Sequence, residues 1–126
     1  MKLIDTDAVA AESGVLTLTN TDDVLAQAEA VGSARVVALQ FPKWTDGRAY
    51  SQAVLLRARL RYAGEIRATG DVLVDMLPLL RRCGFDSVQL RADQNRESAL
   101  ATLNQFPGHY QGDAAGAKPL FNALAA

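Results

Sequence analysis

Hydrophobic and polar positions repeat along the chain with two different periods. "VLTLT" from Val15 to Thr19, "RVVALQF" ending at Phe41, "EIRAT" around Ile66 and "SVQLRA" around Val88 carry the short apolar runs and period-two alternation of strands. Between them apolar residues step by three and four, as on one face of a helix. Val24, Ala28 and Val31 mark a first helix, with Asn20 or Thr21 as its expected N-cap. Ala49, Ala53, Leu56, Leu60 and Ala63 mark a second, Leu73, Met76, Leu77 and Leu80 a third, and Leu100, Leu103 and Phe106 a fourth. Pro78 falls inside the third helix and predicts a kink there, because it lacks the backbone donor.

Three joins share the order helix, glycine, strand, through Gly32, Gly64 and Gly84. Glycine just past a helix takes the left-handed conformation at little cost, so each reads as a helix stop. The resulting order, β-α-β-α-β-α-β-α, predicts a single α/β domain over residues 1–126 of about four βα units. Connections of this length imply a mainly parallel sheet with right-handed crossovers. The Gly- and Ala-rich stretch from about residue 111 reads as an irregular tail that docks through Leu120 and Phe121.

A sheet covered on both faces needs nearly unbroken apolar strands. Here Gln40, Arg67, Thr69, Gln89 and Arg91 alternate with the apolar residues and fall on one face. Three readings remain open. The sheet is curled, half-barrel-like, around a polar interior. It is flat, and the tail or a second copy of the chain covers it, which predicts a homodimer. Or these are edge strands with solvated side chains.

Composition narrows the function classes. With a formal net charge of -1 the chain lacks the basic excess of a nucleic-acid binder, although Arg57, Arg59, Arg61 and Arg67 cluster. No apolar run reaches the ~20 residues of a membrane span, and "MKLIDTDAVAAE" lacks a signal-peptide core. A single cysteine, Cys83, forms no internal disulfide, so the expected location is cytoplasmic. Cys83 ends the third helix beside Arg81 and Arg82; those cations favour the thiolate but a helix C-terminus opposes it, so the residue reads as inert and partly buried. His109 is alone and no metal-ligand spacing occurs, so no metal or other cofactor is evident.

The chemistry concentrates in "FPKWTDGRAYSQ", Phe41 to Gln52, between a strand and a helix. In parallel βα units ligands sit beyond the carboxyl ends of strands, where loops lead into helix N-termini. Lys43, Gly47, Arg48 and Ser51 from this loop, with Arg67 and Arg91 from neighbouring strands, form a candidate oxyanion site for sulfite, sulfate, phosphate or carboxylate. Trp44 and Tyr50 are candidate aromatic contacts for a planar ligand or a protein. Asp46 and Asp71 are the candidate proton-transfer groups of a small enzyme. The plainer reading is a TDG turn with Asp46 and Asp71 as helix caps and solvated cations around them.

The block "FPKWTDGRAYSQAVLLRARLRYAGEIRATGDVL", then "RRCGFDSVQLR", and "YQ" at Tyr110 and Gln111, resembles a bacterial family known as domain of unknown function 934. Trp44, Ala49 and Pro78 stand where the family pattern has Phe, Gly and an apolar residue. The resemblance implies a place in assimilatory sulfite reduction, as an oxidoreductase whose genes neighbour those of sulfite reductase. The residues show no redox-cofactor motif. They point instead to an accessory protein that binds an oxyanion or sulfite reductase itself. The alternatives are a small cofactor-independent enzyme using the loop carboxylates and an electron-transfer protein.

Overall fold

A computed structural model describes residues 1–4 and 13–105. Five strands form one parallel sheet in the order β1-β5-β4-β3-β2. They are β1 (Lys2–Leu3), β2 (Val15–Leu18), β3 (Val36–Phe41), β4 (Glu65–Gly70) and β5 (Ser87–Val88). Four helices connect or follow them: α1 (Ala28–Ser33), α2 (Arg48–Ala58), α3 (Leu77–Cys83) and α4 (Arg96–Gln105). The expected α/β domain with a parallel sheet is therefore present, and the sheet is open. The two-residue β1 escapes any periodicity test, yet it extends the sheet beside β5.

From β2 to β5 each connection steps one strand in the same direction, so right-handed crossovers place α1, α2 and α3 on one face. The core lies there. Val37, Leu39 and Phe41 of β3, Ile66 and Ala68 of β4 and Val88 of β5 pack against Ala49, Ala53 and Leu56 of α2 and Leu77 and Leu80 of α3. Burying side chains of this size contributes about 1.5–3 kcal/mol each for the larger ones, and this layer holds the strands in register.

The other face is polar in register. Val36 pairs with Glu65, Ala38 with Arg67, Gln40 with Thr69, and Arg67 with Ser87. β4 is a central strand, and Arg67 is only 1% exposed. The reading of Arg67 as a solvated edge side chain is therefore overturned. Its guanidinium donates to Glu65 at 2.8 Å and to Ser87 at 3.4 Å, while Ser87 and Lys2 donate to the same Glu65 at 2.6 and 3.0 Å. Burial would raise the Glu65 carboxyl, but the hydrogen bonds from Ser87, Lys2 and Arg67 outweigh it and hold it at about 2.

Several local expectations change. The first helix starts with a 3-10 turn at Val24–Gln27 capped by Asp23, whose carboxylate accepts the Leu25 N–H, so neither Asn20 nor Thr21 is the cap. Gly32 lies within α1 rather than past its end. α2 ends at Ala58, before Leu60 and Ala63, and Arg61 takes the left-handed conformation at φ 54°. Gly64 is needed for a different reason: a Cβ there would lie 2.2 Å from the Tyr62 hydroxyl. Gly84 is the left-handed stop expected of it, with φ 108°. Pro78 occupies the first turn of α3, because a 3-10 turn at Val74–Met76 precedes it, and no interior hydrogen bond is lost. In α4 the buried residues are Ala99 and Leu103 while Leu100 faces out; Phe106, Leu120 and Phe121 lie outside the described residues.

One arginine closes the amino edge of the sheet. Arg57 on α2 donates to the carbonyls of Tyr62 at 2.7 Å, Gly64 at 2.8 Å and Gly84 at 2.9 Å, and pairs with Asp86. Asp86 also accepts the Ile66 N–H at 3.0 Å. The clustered arginines thus divide: Arg57 and Arg67 are internal clamps, whereas Arg59 and Arg61 are exposed.

Candidate functional site

Four loops leave the carboxyl ends of β2, β3, β4 and β5, and side chains tie them together. Gln52 of α2 is buried and donates to the carbonyls of Thr19 and Asp22 at 2.8 and 3.0 Å. Asn20 donates to Asp46 at 2.6 Å, joining the β2 loop to the β3 loop. The Trp44 N–H donates to Asp71 at 2.8 Å, joining the β3 loop to the β4 loop. Arg91 donates to Asp71 at 2.7 Å, joining the β4 loop to the β5 loop, and grips Asp93 through two bonds at 2.6 and 2.8 Å.

The two loop carboxylates are the clasps of this edge. Asp46 also accepts the Arg48 N–H at 3.1 Å and lies 3.5 Å from the Arg48 guanidinium, so it caps the start of α2. Asp71 does not cap the following turn, as its "TGDV" context predicts; its oxygens go to Arg91 and Trp44. Those two bonds, Arg91 first, hold its carboxyl below the ordinary aspartate value. Arg91 likewise lowers Asp93 to about 2, and both acids raise Arg91 further above its already high value. Asp46 and Asp71 share no hydrogen-bond partner among the described residues.

An open depression of about 760 Å³ lies at the ends of β3 and β4, lined by Gln40, Phe41, Pro42, Thr69, Gly70, Asp71 and Arg91. Gly70 makes it possible. At φ 94°, a Cβ there would sit 2.5 Å from the Phe41 carbonyl oxygen, inside any allowed contact.

Of the expected anion-binding residues only Arg91 lines this depression. Lys43, Gly47, Arg48 and Ser51 lie on the neighbouring loop and the first turns of α2, with Lys43, Arg48 and Ser51 exposed. Arg67 is three residues short of the end of β4 and turned to Glu65 and Ser87, away from this rim. Tyr50 is half-buried and meets the Phe41 ring edge-on at 5.1 Å, so it supports the β3 end from within, and burial pushes its phenol up. Trp44 is 53% exposed beside Lys43, while its own N–H is fixed by Asp71. Cys83 is half-buried, and burial raises its thiol.

The edge is acidic. Asp22, Asp23, Asp46, Asp71, Asp75, Asp93 and Glu97 stand on its loops and first helical turns, against Lys43, Arg48, Arg91 and Arg96. Among the described residues no group of three His, Cys, Asp or Glu is placed to hold a metal ion, and no helix is long and apolar enough to cross a membrane. Asn20, Gln52 and Asp93 are the members that periodicity does not reveal. Only Asp93 leaves a signal, two residues after Arg91 where a guanidinium reaches back.

The chain belongs to the family described as Bacterial protein of unknown function (DUF934), whose model matches residues 14–121. No curated protein and no solved structure matches it.

Proposed function

We propose that this protein is a cytoplasmic accessory factor of assimilatory sulfite reduction that acts by docking on sulfite reductase through its strand-end loops. The process comes from the resemblance set out above. The mode of action rests on one observation: a half-exposed tryptophan stands on a loop whose backbone is pinned by a carboxylate from the next strand. Tryptophan and arginine dominate the energetics of protein interfaces, and a contact already held in place loses less entropy on binding. Trp44 provides the anchor, Lys43 and Arg48 the polar rim, and the depression beside Phe41 and Pro42 a recess for a side chain of the partner.

A protein partner fits this edge better than a free oxyanion. Arg91 is already shared by two carboxylates, and Asp46 occupies the first amide of α2. A dianion would enter a field with more acids than bases, at a cost that grows as salt is lowered. A cationic mouth on an enzyme that collects anionic substrates meets the same field favourably. The carboxylates also make poor proton-transfer groups here, since Asp71 is held ionised and Asp46 is spent on a cap.

Calorimetric titration of the purified protein with sulfite reductase, with sulfite, and by dilution of the protein alone separates the uses of this edge. The proposal expects heat only with the reductase. Heat with sulfite would favour the oxyanion site. Heat on dilution, with a dimeric mass in sedimentation, would assign the surface to a homodimer. Silence with the reductase would remove the proposal.

A further inference from the structure

A second cavity, of about 360 Å³, opens at the opposite edge of the sheet, between α1 and the loop joining α2 to β4. Val31, Leu60 and Ala63 give it apolar walls, and Tyr62 and Arg61 are its polar side chains. A Cβ at Gly32 would meet nothing within 4 Å, so that position faces open space at the cavity wall. The volume is at the lower end of those that hold small molecules.

Arg61 is the one described non-glycine residue with a positive φ, at 54°. The backbone on its far side is fixed, since the Tyr62 N–H bonds the Leu56 carbonyl at 2.9 Å and the Tyr62 carbonyl takes Arg57 at 2.7 Å. Glycine adopts this helix-ending conformation without strain, and an arginine does not. The fold alone is thus better served by glycine at position 61. What glycine lacks is the guanidinium, which belongs to a residue lining the cavity and has no hydrogen-bond or ion-pair partner among the described residues. Arg59, two positions earlier, is exposed and adds to the positive field.

We propose that this cavity binds a small organic anion, with its apolar body between Val31 and Leu60 and its carboxylate, sulfonate or phosphate head on the Arg61 guanidinium. A planar fork of N–H donors matches such a head bidentately. The site is independent of the strand-end loops, at the other end of the strands.

Phenyl phosphate is a suitable probe, with phenol and inorganic phosphate as controls for the body and the head. Titration followed by amide NMR is expected to shift Gly32, Ala63 and Gly64, with each control at least about tenfold weaker. Arg61→Gly is expected to weaken phenyl phosphate about tenfold or more, as for loss of one charged hydrogen-bonding group, without lowering the melting temperature. Gly32→Leu is expected to abolish binding by filling the cavity, and a helical glycine is a position where a side chain does not cost stability. The proposal is overturned if phenyl phosphate leaves those amides unmoved, or if inorganic phosphate binds as well. It is also overturned if Arg61→Gly unfolds the protein while Gly32→Leu still binds, or if either folded variant binds like the parent.

Discussion

The Trp44 N–H and the Asp71 carboxylate meet at 2.8 Å although 27 positions separate them in sequence. Through this bond the loop after β3 takes its shape from the strand beside it, and Trp44 is presented on a fixed backbone. Trp44 is the chain's only tryptophan, so selectively excited tryptophan fluorescence reports this loop alone. Asp71→Ala is expected to leave far-UV circular dichroism unchanged while the Trp44 amide exchanges as fast as an unprotected loop amide. Protection that survives the substitution would show that the loop is held by something else.

Glu65 gives the fold an acid-sensitive lock. Its carboxyl ordinarily titrates at 4.5 and is held at about 2 in the folded chain, so the unfolded chain binds more protons in that window. The stability it contributes is complete above about pH 4.5 and disappears as pH falls through about 2. Urea midpoints should therefore fall between pH 5 and pH 3. Glu65→Gln should flatten that dependence and cost about 3 kcal/mol at pH 7, because the buried Arg67 loses its ion pair with Glu65. A parallel pH dependence in the variant would assign the effect to other groups.

Arg57 holds three carbonyls and Asp86 with one guanidinium. Arg57→Ala should lower stability by about 3–5 kcal/mol, and Arg57→Lys should recover little, since an ammonium cannot reproduce a planar fork. Equal chemical-denaturation midpoints for Arg57→Lys and the parent would contradict this.

Gly70→Ala tests the wall of the depression. The new Cβ would fall 2.5 Å from the Phe41 carbonyl oxygen at a φ of 94°, so the β3 and β4 ends must part. A loss of about 2 kcal/mol or more in denaturant unfolding is expected, against less than 1 for an ordinary exposed glycine.

The strands were legible because their alternation is strong: β2, β3 and β4 lie where the pattern puts them. The polar face was legible too, but only as a face. Parity told that Arg67 and Arg91 point the same way; it did not tell their height along the strands. Register with Ala38 and Ser87 leaves Arg67 inside, whereas Arg91 emerges beyond β5. The helix–glycine–strand joins misled at Gly32 and Gly64, because a left-handed stop is one of several reasons for a glycine, and Arg61 supplies the stop instead. Pro78 misled because a 3-10 turn shifts the start of α3. The clasps themselves, Asn20 to Asp46 and Trp44 to Asp71, join distant positions through single hydrogen bonds that leave no periodic trace.

The most direct measurement is the affinity of sulfite reductase for the parent protein, for Trp44→Ala and for Leu100→Ala, the last removing an exposed leucine on α4, outside these loops. The account predicts measurable binding by the parent, a loss of about thirtyfold or more in Trp44→Ala with its melting temperature unchanged, and parent-like affinity in Leu100→Ala. Parent-like affinity in a folded Trp44→Ala, or no binding by the parent at all, would contradict it.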